Sequence, residues 1–261
     1  MKKFFGSHIV PILRSNAGYY LAGAFLILGL KCYSQTANAD SLRWILAPTA
    51  WWAGLFGGIS FEYLPGAGYV NHSIKFLIAP SCAGLRFLTL SFAMLLFSFL
   101  HRAARGAKKI AWVSFSLILS YVTAVFANGI RIALSIHLPP LLLGHSSGAG
   151  WLTHESLHTM TGVFTYLTAL ALLYRTADLL SGHLCFSFPR EIPLQSVRAW
   201  LLPVFWYLFF LLGIPLMTGS WLRDPAGFAG YALLLLLACC ALLLLANVGI
   251  LLLRLYKGKL S

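Results

Sequence analysis

The stretch Ala79-Pro80-Ser81-Cys82-Ala83-Gly84-Leu85-Arg86 joins a polar, turn-rich segment to a long apolar run. Small residues flank Cys82, so its sulfur would be approachable by a reactant. The apolar run continues to residue 100, close to the ~20 residues that a helix needs to cross a hydrocarbon core. The stretch therefore predicts a cysteine at the boundary of a transmembrane helix.

The composition of the whole chain agrees with a membrane protein. Of its 261 residues, 59% are hydrophobic and only 10% are charged, and the mean hydropathy is +0.82. The net charge of +13 would suggest nucleic acid in a soluble chain. Here most Lys and Arg residues lie beside apolar runs, where they set orientation. We therefore expect acidic lipid headgroups, and not nucleic acid, as the partner of this charge.

The pattern of apolar runs predicts an all-α polytopic membrane protein with about six transmembrane helices. Residues 42–59 are ambiguous, because they contain Pro48 and two tryptophans, and they suit an interfacial or re-entrant helix as well as a complete crossing. Residues 61–78 predict a short external β-hairpin-like segment, read as strand, turn, strand. The predicted spans cover residues 18–30, 82–100, 110–127, 154–174, 200–217 and 228–253.

Loop charges orient the predicted spans. The densest basic loop, residues 101–109, is cytoplasmic by the positive-inside rule. Six spans then place both termini in the cytoplasm, whereas a seventh at 42–59 would put Lys2 and Lys3 outside. We predict a multi-pass protein of the cell (inner) membrane, in one integral domain over residues 1–261.

The same orientation brings three reactive residue types to the outer (periplasmic) face. Cys82 starts one span, Arg131 follows the next, and His158 begins the one after. A thiolate is a strong nucleophile that nearby cations favour, and an imidazole can take its proton and later protonate a leaving amine. The Arg131 guanidinium could stabilise a thiolate, a substrate carboxylate or an oxyanion. Together they suffice for acyl transfer through a thioester.

A competing interpretation is a zinc protease. His154-Glu155-Ser156-Leu157-His158 fits the H-E-x-x-H motif, in which two histidines hold Zn²⁺ and the glutamate acts as base. Such a site needs a third ligand. The predicted topology puts Asp178 and Glu191 on the cytoplasmic side, so an external histidine such as His72 would have to complete it. A third alternative is a non-enzymatic transporter or scaffold, which would need polar groups at mid-membrane.

Three motifs in chain order resemble the exosortase/archaeosortase family of membrane cysteine transpeptidases. They are Pro80-Ser81-Cys82-Ala83-Gly84, then Asn128-Gly129-Ile130-Arg131-Ile132, then His158-Thr159-Met160-Thr161-Gly162-Val163-Phe164. The resemblance implies a nucleophile at Cys82, a cation at Arg131 and a base or acid at His158. The glycine of the first motif, Gly84, and Asn128 would support them.

The resemblance covers roughly residues 46–166, which would form the catalytic core, with C-terminal helices over 197–254. Leu46-Ala47-Pro48-Thr49-Ala50 and Phe61-Glu62-Tyr63 resemble the exosortase K type. His158 lies four residues before Gly162, as the family pattern requires, while His154, one turn away, could substitute or assist.

The family's activity is what the resemblance implies for function. Its members cleave C-terminal sorting signals of secreted proteins at the outer face of the membrane, through a thioester intermediate. Such a signal combines a recognition motif (Pro-Glu-Pro in the best-known bacterial cases), a transmembrane helix and a basic tail. The expected partners are therefore secreted proteins with such signals, together with membrane lipids. No cofactor and no metal are expected.

Overall fold

The computed structural model describes residues 2–103, 106–143, 153–183 and 198–258. Within these ranges it describes the backbone, but not the side chains, of residues 2–13, 143, 154, 181–183, 198–199, 250 and 252–258.

The described residues form eight α-helices and three short β-strands. In chain order they are α1 (Lys2–Thr36), α2 (Arg43–Gly57), β1 (Glu62–Leu64), β2 (Gly68–Asn71), β3 (Phe76–Ile78), α3 (Leu85–Phe99), α4 (Ala107–Leu143), α5 (His154–His183), α6 (Arg198–Leu208), α7 (Ile214–Thr218) and α8 (Pro225–Gly258). A single turn of 3₁₀ helix, Pro80–Cys82, precedes α3, and another, Leu100–Arg102, follows it.

Five helical segments of the described chain are long and apolar enough to cross a membrane, which confirms a polytopic all-α protein. The predicted first span, residues 18–30, lies in α1 and is not among the five. The described part of α1 contains Asn16, Lys31 and several tyrosines, which lower its mean hydropathy. The five segments are Pro80–Arg102, Ala107–Leu142, Glu155–Leu180, Trp200–Thr218 and Pro225–Gly249.

Helix α3 lies at the centre of the bundle. Nearly all of its side chains are buried, and α1, α4, α5 and α6 pack around it. Gly23 of α1 approaches Leu96 closely, and the rings of Tyr20 and Phe97 stack with centroids 5.4 Å apart. The indole of Trp112 in α4 is fully buried and donates to the Leu95 carbonyl at 3.4 Å. This central position holds the N-terminal end of α3, and with it Cys82, between α4 and α5.

Helix α2 stands along the second half of α4 and runs in the same direction. Tyr121 donates to the carbonyl of Trp44 at 2.8 Å, and further along His137 contacts the carbonyl of Gly57 at 3.0 Å. Between these contacts, Gly129 leaves room for the backbone of α2, since a Cβ there would come within 2.8 Å of Trp52 Cβ. At 15 residues, α2 rises only about 22 Å. It is too short for a complete crossing, as the interfacial or re-entrant interpretation requires.

The segment before Cys82 is a three-stranded antiparallel sheet in the order β1-β2-β3. The predicted hairpin was correct for its first turn, but a second turn at residues 72–75 divides the predicted second strand. Asn71 accepts a hydrogen bond from the Ile74 amide at 3.0 Å, and Lys75 takes a left-handed φ of 53°. An asparagine side chain that closes a turn in this way competes with strand pairing. β3 leads directly into the turn that carries Cys82.

The loop between α1 and α2 is tied to this sheet. The Asp40 carboxylate accepts hydrogen bonds from the Tyr63 hydroxyl and from the Gly66 amide. These bonds lower the pKa of Asp40, the Tyr63 bond most, and the same contact raises the pKa of Tyr63. Arg43 lies over the Tyr63 ring at 4.5 Å. The sheet is therefore anchored to the first turn of α2 and to the loop that precedes it.

Two helices depart from the regular geometry expected of them. Helix α4 continues past Pro139 and Pro140 to Leu143, well beyond the predicted span 110–127. Proline fixes φ near the helical value, so a last turn can persist after it has lost a hydrogen bond. The predicted span 200–217 contains one turn of π-helix, Phe209–Gly213, between α6 and α7.

Candidate functional site

Cys82 is the last residue of the 3₁₀ turn at the start of the central span. Its amide donates to the Ala79 carbonyl at 2.8 Å, which closes the turn, and its side chain is half-buried. Gly84 follows with a left-handed φ of 77°, a conformation that turns the chain into α3 and that suits glycine. A Cβ at this position would lie 3.2 Å from Asn128 Nδ2. Gly84 thus permits the close approach of α4.

Asn128 joins α4 to the backbone of Cys82. Its side chain is fully buried, and its Nδ2 donates to the Cys82 carbonyl. Its Oδ1 accepts from Arg131 Nη1 at 3.3 Å, one turn along the same helix. An amide whose oxygen and nitrogen both have partners cannot rotate without breaking them. Asn128 therefore fixes the position of the Cys82 backbone relative to α4.

Arg131 connects the groups predicted from the sequence. Its Nη2 lies 2.8 Å from His158 Nε2 on α5, and its guanidinium also interacts electrostatically with the Cys82 side chain. The Arg131 side chain passes Gly162, whose Cβ position is 3.6 Å from Arg131 Nε. The predicted proximity of Cys82, Arg131 and His158 is thus present, with Arg131 in the middle.

His158 lies one turn into α5 and has an exposed side chain. Because a guanidinium can only donate, His158 Nε2 is the acceptor in its contact with Arg131. The ring is then neutral, with its proton on Nδ1. Among the described residues, the structure contains no hydrogen bond between the His158 ring and the Cys82 thiol. Arg131 occupies the nitrogen that a general base would use.

The zinc interpretation gains no support from this geometry. The Nε2 lone pair of His158 already accepts from Arg131, whose positive charge also repels a metal cation. No group of three His, Cys, Asp or Glu residues suited to a metal occurs among the residues that the structure describes. The side chain of His154 lies outside the described part, as does Glu191, so this alternative stays a prediction.

Tyr166 is a member of the site that sequence reasoning missed. Its hydroxyl donates to Asn128 Oδ1 at 2.8 Å and accepts from Arg131 Nη1 at 3.1 Å. Its ring stacks on Phe87 of α3, with centroids 4.6 Å apart and planes at 13°. A signal was present in the sequence, because residues 158, 162 and 166 recur every four residues and share one face of α5.

Asp178 lies at the other end of the bundle. Its carboxylate accepts from Arg102 Nη1 at 3.4 Å, and both side chains are less than one-tenth exposed. Arg102 ends the span that Cys82 begins, so Asp178 is a full helix length from Cys82. Asp178 therefore lies at the opposite end of the bundle from Cys82, and its predicted place on the cytoplasmic side stays a prediction.

The arrangement combines an approachable thiol, a fixed cation beside it and an imidazole held by that cation. A half-buried guanidinium with defined partners stabilises negative charge better than one in water, because it does not reorganise. The charge could be a thiolate or the oxyanion of a tetrahedral intermediate. These are the components of nucleophilic acyl transfer.

Comparison with known proteins found one similarity. No curated protein and no solved structure matched it. One family model, that of the transmembrane exosortases, matches residues 51–175. The matched range begins within α2 and ends within α5, so it includes Cys82, Arg131, His158 and all of their described partners. The chain is therefore a multi-pass membrane protein whose residues 51–175 are similar to the transmembrane exosortases.

Proposed function

We propose that this protein is a membrane cysteine transpeptidase or peptidase that cleaves C-terminal sorting signals of secreted proteins. The observation that carries the proposal is the position of Arg131, which contacts His158 and interacts with Cys82. The K-type subgroup and the recognition motif stay predictions.

The reaction starts with attack of the Cys82 sulfur on the carbonyl carbon of the scissile peptide bond. In the proposed course, the incoming carbonyl oxygen takes over an Arg131 N–H, which releases His158 Nε2 to accept the thiol proton. The C–N bond then breaks, and the amine of the departing anchor segment leaves with that proton. A thioester to Cys82 remains. An external nucleophile, water or an amine, attacks it and restores the thiol.

The position of the site suits a substrate held by its own transmembrane helix. Because the helix of the sorting signal lies in the bilayer, its outer end would present the peptide bond near the start of α3. Holding both reactants in this way replaces a bimolecular encounter by an intramolecular one. We place the site at the outer (periplasmic) face, with both termini in the cytoplasm.

The test is a covalent trap. A reporter with a C-terminal signal of this class is expressed with the enzyme, and the thioester adduct is isolated and mapped by mass spectrometry. We expect the adduct on Cys82 and on none of the other cysteines. Cys82→Ala should abolish both adduct and processing, since it removes the nucleophile.

The matched control is Cys239→Ala. Cys239 is buried in α8 and has no described contact with the site, so this variant should process the reporter normally. Both variants should insert in the membrane at wild-type levels. Full processing by Cys82→Ala, or an adduct on another cysteine, would overturn the proposal. Processing that a chelator stops would favour the zinc alternative.

A further inference from the structure

The phenol of Tyr166 has two hydrogen-bonding partners, and both belong to the candidate site. It donates to Asn128 Oδ1 at 2.8 Å and accepts from Arg131 Nη1 at 3.1 Å. These three groups form a closed triangle, because Arg131 Nη1 also donates to Asn128 Oδ1 at 3.3 Å. A closed set of this kind restricts each member more than a single pair would.

The triangle reaches Cys82 by two routes. Through Asn128 it holds the Cys82 carbonyl, and through Arg131 it sets the guanidinium beside the Cys82 side chain. The Tyr166 ring is itself held between helices, since it stacks on Phe87 and the Arg131 guanidinium lies 5.6 Å from its centroid. A ring fixed in this way places its hydroxyl in one position.

We propose that Tyr166 is a positioning residue for this reaction: its hydroxyl holds Arg131 and Asn128 in the orientation that keeps the guanidinium at the Cys82 thiol. It acts through these two residues and does not touch the substrate. The effect of Tyr166 on substrate processing rests on the proposed function. Its effect on the reactivity of the Cys82 thiol does not.

The test is therefore made first on the thiol alone. In a chain whose other cysteines are replaced, the rate of Cys82 alkylation by iodoacetamide is measured in membranes at fixed pH. A hydrogen bond to a charged group is worth about a factor of ten or more, so Tyr166→Phe should slow alkylation about tenfold. Arg131→Ala serves as the reference, because it shows how much the alkylation rate falls when the guanidinium is removed completely.

Tyr207→Phe is the matched control. This buried phenol also bonds to a neighbouring helix, donating to the Val163 carbonyl at 3.1 Å, but it has no described hydrogen bond to the Cys82 site. It should lose a similar amount of thermal stability and keep the wild-type alkylation rate. If Tyr166→Phe alkylates like the wild type, or if both variants slow alkylation equally, the proposal is wrong.

A double-mutant cycle tests the route. If Tyr166 acts through Asn128 and Arg131, adding Tyr166→Phe to Asn128→Ala should slow alkylation by much less than tenfold, because the triangle is already broken. Full additivity would contradict the route.

In processing assays Tyr166→Phe should lower kcat and leave KM unchanged. A slower alkylation with normal processing would preserve the effect on the thiol and count against the proposed function.

Discussion

Arg131 has three described hydrogen-bond acceptors, on two helices. Its planar guanidinium reaches Asn128 and Tyr166 through Nη1 and His158 through Nη2. An ammonium concentrates its charge on one nitrogen and cannot reproduce this fork. The identity of the cation, and not only its charge, should therefore decide activity.

Arg131→Lys should reduce processing about 100-fold, since it would lose two or more charge-assisted hydrogen bonds. The measurement is the initial rate of reporter cleavage in membranes that contain equal amounts of each variant. Arg86→Lys is the matched control, because Arg86 is an exposed arginine in the first turn of α3, and it should keep wild-type activity. Equal rates for the wild type and Arg131→Lys would show that charge alone suffices.

Part of this residue-scale arrangement follows from the sequence. Cys82, Arg131 and His158 were predicted together because loop charges fix the alternation of spans, and alternation brings these helix ends to one side. The role of Tyr166 depends on the rotation of α5 about its axis relative to α4. The spacing of residues 158, 162 and 166 places Tyr166 on the same face as His158, but no charge or motif specifies that rotation, so the hydrogen-bond partners of its hydroxyl could not be predicted.

At the scale of elements, the turn between Cys82 and α3 depends on Gly84. Its left-handed backbone and its contact with Asn128 make two separate demands. Gly84→Ala should destabilise the protein by about 1 kcal/mol through backbone strain. It should also slow Cys82 alkylation about tenfold. The added Cβ would displace the Asn128 side-chain amide, and the loss of one hydrogen bond from that amide to a charged group corresponds to about a factor of ten.

Gly106 separates the two effects. It has a similar φ of 72°, and no described atom lies within 4 Å of its Cβ position. Gly106→Ala should therefore cost similar thermal stability while leaving alkylation unchanged. Thermal melts in detergent and alkylation rates check both statements. An unchanged alkylation rate in Gly84→Ala would mean that the contact with Asn128 has no consequence.

The elements were predictable to different degrees. Hydrophobicity located the spans, and the one proline and two glycines of residues 65–68 located the first sheet turn. The second turn was missed because His72-Ser73-Ile74-Lys75 contains neither glycine nor proline and is closed by the Asn71 side chain. The packing of α2 along α4 depends on the close backbone approach that glycine allows at position 129. The periodicity of the sequence does not reveal this tertiary contact.

At the scale of the whole molecule, the predicted membrane orientation can be tested with reporter proteins fused at the loops between helices. Alkaline phosphatase is active only outside the cytoplasm, and green fluorescent protein fluoresces only within it. Fusions at residues 101–109 and at the C-terminal end should give the cytoplasmic result. A fusion at residues 144–152 should give the external one.

A fusion at the N-terminal end decides whether α1 crosses. If it does, both ends of the chain report the cytoplasm and the span count rises to the predicted six. Phosphatase activity from a fusion at residues 101–109 would show that the bundle has the opposite orientation, with Cys82 on the cytoplasmic side. That result would contradict the orientation on which the proposed function depends.

The length of α4 also has a consequence for substrate contact. Past the level of Cys82, marked by Asn128, α4 continues for fifteen residues to Leu143, a rise of about 22 Å. Helix α2 packs alongside this extension as far as His137, which contacts the Gly57 carbonyl, and the two together form a ledge beyond the level of Cys82. An extended peptide advances about 3.3 Å per residue, so roughly seven residues would span the ledge. Under the proposed function, we therefore expect substrate residues upstream of the cut, and not only those at the cut itself, to contact this extension.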